Sequence, residues 1–99
     1  MQFLTPKTAG LWIDRGLDVV GISADELASI NKTDWRKAVI VRSIRKYSSP
    51  KLDWIAKELH MGVRSGVTRA EAMLKIKLQS DKGIKKLWQQ MEEMHHFYA

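Results

Sequence analysis

Apolar positions along this chain recur at helical spacing rather than at strand spacing, and the chain's turn residues divide them into segments. Thr5-Pro6 opens the first, because proline suits a first helical position and threonine can cap free amides. The helix that follows carries Leu11 and Trp12 and is expected to end near Gly16 or Gly21. Ser23-Ala24-Asp25-Glu26 reads as a capping box, which predicts a short helix to about Ile30 that buries Leu27 and Ile30. Asn31 or Thr33 then caps a longer helix ending near Tyr47. Its Ala38-Val39-Ile40-Val41 stretch has the β-branched look of a strand. Ile40, Ile44 and Tyr47, with Ala38 and Val41, nevertheless form a helical stripe over about 14 residues, too long for a typical strand.

Ser49 as cap and Pro50 as first residue predict a further helix through Leu52, Ile55, Ala56 and Leu59, interrupted at His60-Met61-Gly62. Another helix starts around Val63 to Ser65 and shows Val67, Ala70 and Leu74 on one face. Ser80-Asp81-Lys82-Gly83 marks a break. Beyond it Ile84, Leu87, Trp88, Met91 and Met94 trace the stripe of an amphipathic helix. The expected fold is therefore all-α, with five or six short helices around a central helix-turn-helix at about 49–76 and a C-terminal amphipathic helix.

Charge changes this picture from a plain bundle to a basic one. The 99 residues make one domain, since so short a chain cannot divide into two cores. Lys and Arg total 17 against 11 Asp and Glu, a formal +6. Residues 1–31 carry a net −2, residues 32–79 a net +8, and residues 80–99 none. A charge run is ordinarily a solvated helix face, but +8 in one continuous basic core at 32–79 exceeds what solubility needs and favours a phosphate-bearing partner. At 44% hydrophobic residues the chain is too apolar for a disordered basic tail. Cysteine is absent, which excludes disulfides, a thiol nucleophile and cysteine-ligated zinc. No apolar run approaches the roughly 18 residues of a membrane span, and no signal-peptide pattern opens the chain, so a cytoplasmic protein without a membrane partner is expected.

The helix-turn-helix segment makes specific demands of its residues. Helices that cross steeply need a small residue where they meet, which Ala56 provides, and apolar plugs, which Ile55, Leu59, Met61 and Val67 provide. The turn needs a position that tolerates positive φ, and His60 or Gly62 supplies it. The second helix must show polar and basic side chains outward. Arg64, Ser65, Thr68 and Arg69 are those positions, and are the candidate base contacts. Arg36, Lys37, Arg42, Ser49 and Lys51 are the candidate contacts to the DNA backbone.

The run Asp34-Trp35-Arg36-Lys37, followed by a basic helix and then Trp54-Ile55-Ala56-Lys57-Glu58-Leu59-His60-Met61-Gly62, resembles the C-terminal segment of bacterial proteins related to REP-associated tyrosine transposases. The resemblance extends from about Leu11 to Arg69. It implies double-stranded DNA binding, with Arg64, Ser65, Thr68 and Arg69 toward the bases and Ser49 and Lys51 at the backbone. His60 departs from the glycine common in such turns. That family nicks DNA with a His-hydrophobic-His metal site and a tyrosine nucleophile. Here His95 and His96 are adjacent, and Tyr47 and Tyr98 lie at a helix end and near the chain end. No enzyme, metal, cofactor or small-molecule substrate is therefore expected.

The remaining features read as structural. Trp12, Trp35, Trp54 and Trp88 are expected to fill the core rather than stack on bases, and Met61, Met73, Met91 and Met94 to fill gaps. His95-His96 reads as a surface pair, since helix neighbours point about 100° apart. The last helix is expected to fold back on its own chain, with a homodimer through residues 84–98 as the other use of its stripe. The leading expectation is a sequence-preferring DNA-binding module, transposase-associated or a small transcriptional regulator. The alternative is a helical protein-interaction domain that works through the last helix without nucleic acid. A small RNA-binding domain ranks third, lacking aromatic strand motifs or a Gly-x-x-Gly clamp.

Overall fold

The structure is a computed structural model that describes residues 6–31, 34–47 and 50–98, and the side chains within 10–31, 34–47 and 50–97. Six helices and no strand are found among the described residues: α1 (Pro6–Val20), α2 (Ala24–Ser29), α3 (Trp35–Tyr47), α4 (Leu52–Glu58), α5 (Arg64–Ser80) and α6 (Lys82–Tyr98). None of them is long and apolar enough to cross a membrane.

α3 is the axis of the fold. Ala38, Val39, Ile40, Val41, Ser43 and Ile44 are all buried, so this helix is enclosed along most of its circumference, as the short apolar run requires. It packs against α1, α5 and α6, while α4 packs against α5. α6 folds back as expected, seating Ile84, Trp88 and Met91 in the core with Leu87 and Met94 half-buried beside them.

The ends of the helices follow local chemistry. α1 stops at Gly21, not Gly16. Gly21 has φ +77°, and the amides of Gly21 and Ile22 both donate to the Leu17 carbonyl at 2.9 and 3.2 Å. The Ser23–Glu26 capping box is complete in both directions. Asp34, rather than Asn31, caps α3: its carboxylate accepts the Arg36 amide at 2.9 Å, and its carbonyl accepts from the Ala38 amide at 3.1 Å. Thr33 lies outside the described residues, as does Thr5. Asp81 serves two helices. Its amide donates to the Lys77 carbonyl to end α5, and its carboxylate accepts the Ile84 amide at 3.1 Å to begin α6.

α4 begins later than its proline implied. Pro50 stands outside the helix and Lys51, extended at φ −66°, ψ 146°, is the N-cap. The Lys51 carbonyl accepts the first intrahelical bond, from Ile55, so the first turn begins at Leu52, which packs against the core. Ser49 lies outside the described residues.

Three expectations about large side chains are corrected. Trp35 is 40% exposed, because its place on the first turn of α3 lies at the rim of the core; Trp12 and Trp88 are buried and Trp54 half-buried. Met73 is 43% exposed and, with Trp35, Ala38 and Leu74, lines a shallow apolar groove between α3 and α5. His95 is buried rather than on the surface; His96 beside it is exposed.

Candidate nucleic-acid interface

The α4–α5 junction is a helix-turn-helix whose turn is closed by backbone bonds. The Met61 amide donates to the Ala56 carbonyl at 2.8 Å and the His60 amide to the Lys57 carbonyl at 3.3 Å, the paired bonds of a Schellman end. His60 holds the left-handed position at φ +54°, so a histidine does here what glycine does more cheaply. Gly62 follows at φ +83°, which means that both positions named from the sequence are used. Ile55, Leu59, Met61 and Val67 are each buried to 1% exposure or less and plug the angle between the helices. Ala56 is buried at 2%.

A second small residue was missed. A Cβ on Gly66 would stand 2.4 Å from the Met61 carbonyl oxygen, so α5 sits directly on the backbone of the turn and only glycine fits there. An isolated glycine inside a helical pattern is the signal that marks it.

Lys37 is corrected most sharply. It was a candidate for gripping phosphate, yet it is 0% exposed and its Nζ donates to the His60 carbonyl at 3.1 Å. The aliphatic stem fills space beneath the turn and the ammonium satisfies a carbonyl that the left-handed residue turns away from any helix. Lys37 therefore braces the turn and does not face solvent.

The four candidate base contacts are all exposed on the first turns of α5. Arg64 and Thr68 share one strip, Ser65 and Arg69 the next, each pair one turn apart. Arg64 lies 3.4 Å from Asp53 of α4, with both side chains more than two-thirds exposed, a contact of little strength in water. The Thr68 hydroxyl donates only a long bond, 3.4 Å, to the Arg64 carbonyl. These side chains are available to a partner.

The backbone candidates separate. Lys51 is exposed at the start of α4. Arg36 forms a two-point pair with Asp34 at 3.0 Å each and stands 5.9 Å over the Trp35 ring; this guanidinium holds the Asp34 carboxyl below its usual range, and the Arg36 pKa is raised in turn. Arg42 stands 5.1 Å over the Trp88 ring and joins Arg45, Lys46 and Glu71 around an open pocket of about 310 Å³. Arg45 and Lys46 were not singled out from the sequence, although their spacing from Arg42, three and four residues on, puts all three on one helix face. Arg45 pairs with Glu71 of α5, and Lys46 with Glu92 of α6.

Beneath that face lies the buried His95. Its ring stacks on Tyr47 at 4.1 Å, tilts against Trp12 at 4.5 Å, and Nε2 is hydrogen-bonded to the Ser43 hydroxyl. The Tyr47 hydroxyl donates to Glu92 at 3.3 Å. Burial, helped by the charges of His96 and Lys46 and opposed by Glu92, lowers the His95 pKa to about 4. Among the described residues no group of three or more His, Cys, Asp or Glu gathers as a metal site.

Compared with protein-family models, curated proteins and solved structures, the chain matches none, and no finding links it to the transposase-like proteins that its Trp54–Gly62 segment resembles.

Proposed function

We propose that this protein binds double-stranded DNA, laying the N-terminal turns of α5 in the major groove, as a transposase-associated module or a small regulator of transcription. The observation that carries the reading is the exposure of Arg64, Ser65, Thr68 and Arg69 together on the helix that follows a backbone-closed turn. A helix is about the width that the major groove admits, and arginine forks onto the O6 and N7 edge of guanine. The positive balance supports the same reading: the net +8 of residues 32–79 covers α3, α4 and nearly all of α5, the elements that meet at this face. The interaction-domain alternative needed the apolar stripe of α6 to face outward, and Ile84, Trp88 and Met91 of that stripe are buried within the fold.

The roles are separable by mutation. Arg69→Ala is expected to cost on the order of 1–3 kcal/mol on a preferred sequence and to relax the preference. Lys51→Ala is expected to weaken all sequences alike and to reduce the salt slope by about one ion. Binding isotherms on preferred and random duplexes at several salt concentrations check both. Equal, sequence-independent losses from the two substitutions would contradict this division of labour.

A further inference from the structure

The Arg42–Arg45–Lys46 face has more positive charge than its two carboxylate partners account for. Arg45 and Lys46 lie in the last turn of α3, where cations complement the helix dipole, and each has a carboxylate to pair with. Those structural roles explain two of the three. Arg42 is different: it is fixed over the Trp88 ring, and its Nε is buried without a hydrogen-bond partner. Among the described residues Arg42 has no carboxylate partner, and it lines an open pocket of about 310 Å³ whose other walls are Arg45, Lys46 and Glu71.

We propose that this pocket binds a phosphate group, and that Glu71 holds Arg45 in the free protein until phosphate displaces the carboxylate. Three donor side chains at i, i+3 and i+4 converge from one helix face, and guanidinium forks match the tetrahedral oxygens of phosphate better than any neutral ligand. Glu71 supplies a carboxylate to Arg45 at the wall of the pocket, the kind of oxyanion contact that a phosphate would replace. On α5, Arg64, Thr68 and Glu71 follow one another along a single strip, so the pocket continues the line of the groove-facing residues. A duplex lying against α5 therefore carries its phosphates past the pocket, and for this source of the phosphate the inference rests on the duplex reading.

The test is a nuclear magnetic resonance titration of the full chain with sodium pyrophosphate at constant ionic strength, with sodium chloride as control, following the Arg42 Nε–H and Trp88 indole N–H signals. Saturable shifts of both are expected with pyrophosphate and not with chloride. Arg42→Gln with Arg45→Gln should abolish the shift of the Trp88 indole N–H, the signal that the variant retains. Glu71→Gln should tighten binding about two- to fivefold, the span of an exposed ion pair expressed as affinity. Shifts no different from chloride, or a Glu71→Gln variant that binds pyrophosphate no better, would overturn the proposal. A labelled duplex run in parallel separates the sources. Pyrophosphate binding without duplex binding keeps the site and assigns it to free phosphate, against the duplex reading. Duplex binding that is indifferent to Arg42→Gln, with no pyrophosphate shifts, removes the site and leaves the duplex reading standing.

Discussion

At the scale of single residues, two polar side chains in the interior shape the molecule. Lys37 holds the His60 carbonyl, and removing it leaves a void under the turn and an acceptor without its donor. Lys37→Ala is expected to lower stability on the order of 2–4 kcal/mol in urea denaturation while leaving the salt slope of duplex binding unchanged, the opposite pattern from Lys51→Ala. His95 ties α6 to α1 and α3 through Trp12, Ser43 and Tyr47. Its folded pKa of about 4 lies below the ordinary 6.5, so the unfolded chain holds the proton more tightly than the folded one. Stability is therefore unaffected by this group above about pH 6.5, falls as pH drops through the window, and is lower by about 3 kcal/mol once pH 4 is passed. Glu92 and Asp34, both with lowered pKa values, act at more acid pH, their contributions lost as pH falls through and below the ordinary carboxylate range. Urea midpoints of the native protein and of His95→Phe between pH 7 and 4 isolate the effect, and an unchanged pH slope in the variant would refute it.

At the scale of elements, the decisive joint is the α4–α5 turn. Gly66→Ala forces a Cβ against the Met61 backbone, which cannot yield as a flexible side chain would, and should destabilise by about 1–3 kcal/mol. Gly10→Ala makes a matched control. It lies inside α1 with open space around it, and should stabilise by about 0.5–1 kcal/mol in the same thermal melts. The elements themselves were legible wherever apolar spacing and capping chemistry agreed, as in the Ser23–Glu26 box, the helical Ala38–Val41 run and the α6 stripe. What stayed hidden depends on partners distant in sequence. The burial of Lys37 is set by a carbonyl 23 residues away, and that of His95 by a serine 52 residues away. A lysine in a basic run and a histidine beside another histidine carry no local mark of either fate. Proline misled for a related reason: it permits a helix to begin but does not require one, and at Lys51 the backbone is still extended.

At the scale of the whole molecule, a body of 34 × 29 × 23 Å draws its positive charge from the middle of the chain. α1 and α6 pack on α3 and lie in segments that carry a net −2 and 0, whereas the basic middle of the chain supplies α3 itself, the turn, the outward strip of α5 and the Arg42 pocket. That concentration of positive charge around α5 is the physical basis for proposing that α5 reads a duplex held by phosphate contacts around it. The most direct measurement is a titration of the protein into a pool of labelled duplexes of random sequence, at several salt concentrations, with recovery and sequencing of what binds. Affinity is expected to fall steeply and linearly in log–log form with salt, and a preferred sequence to be enriched from the pool. Absence of binding at low salt, or salt-dependent binding that enriches no sequence, would contradict this reading.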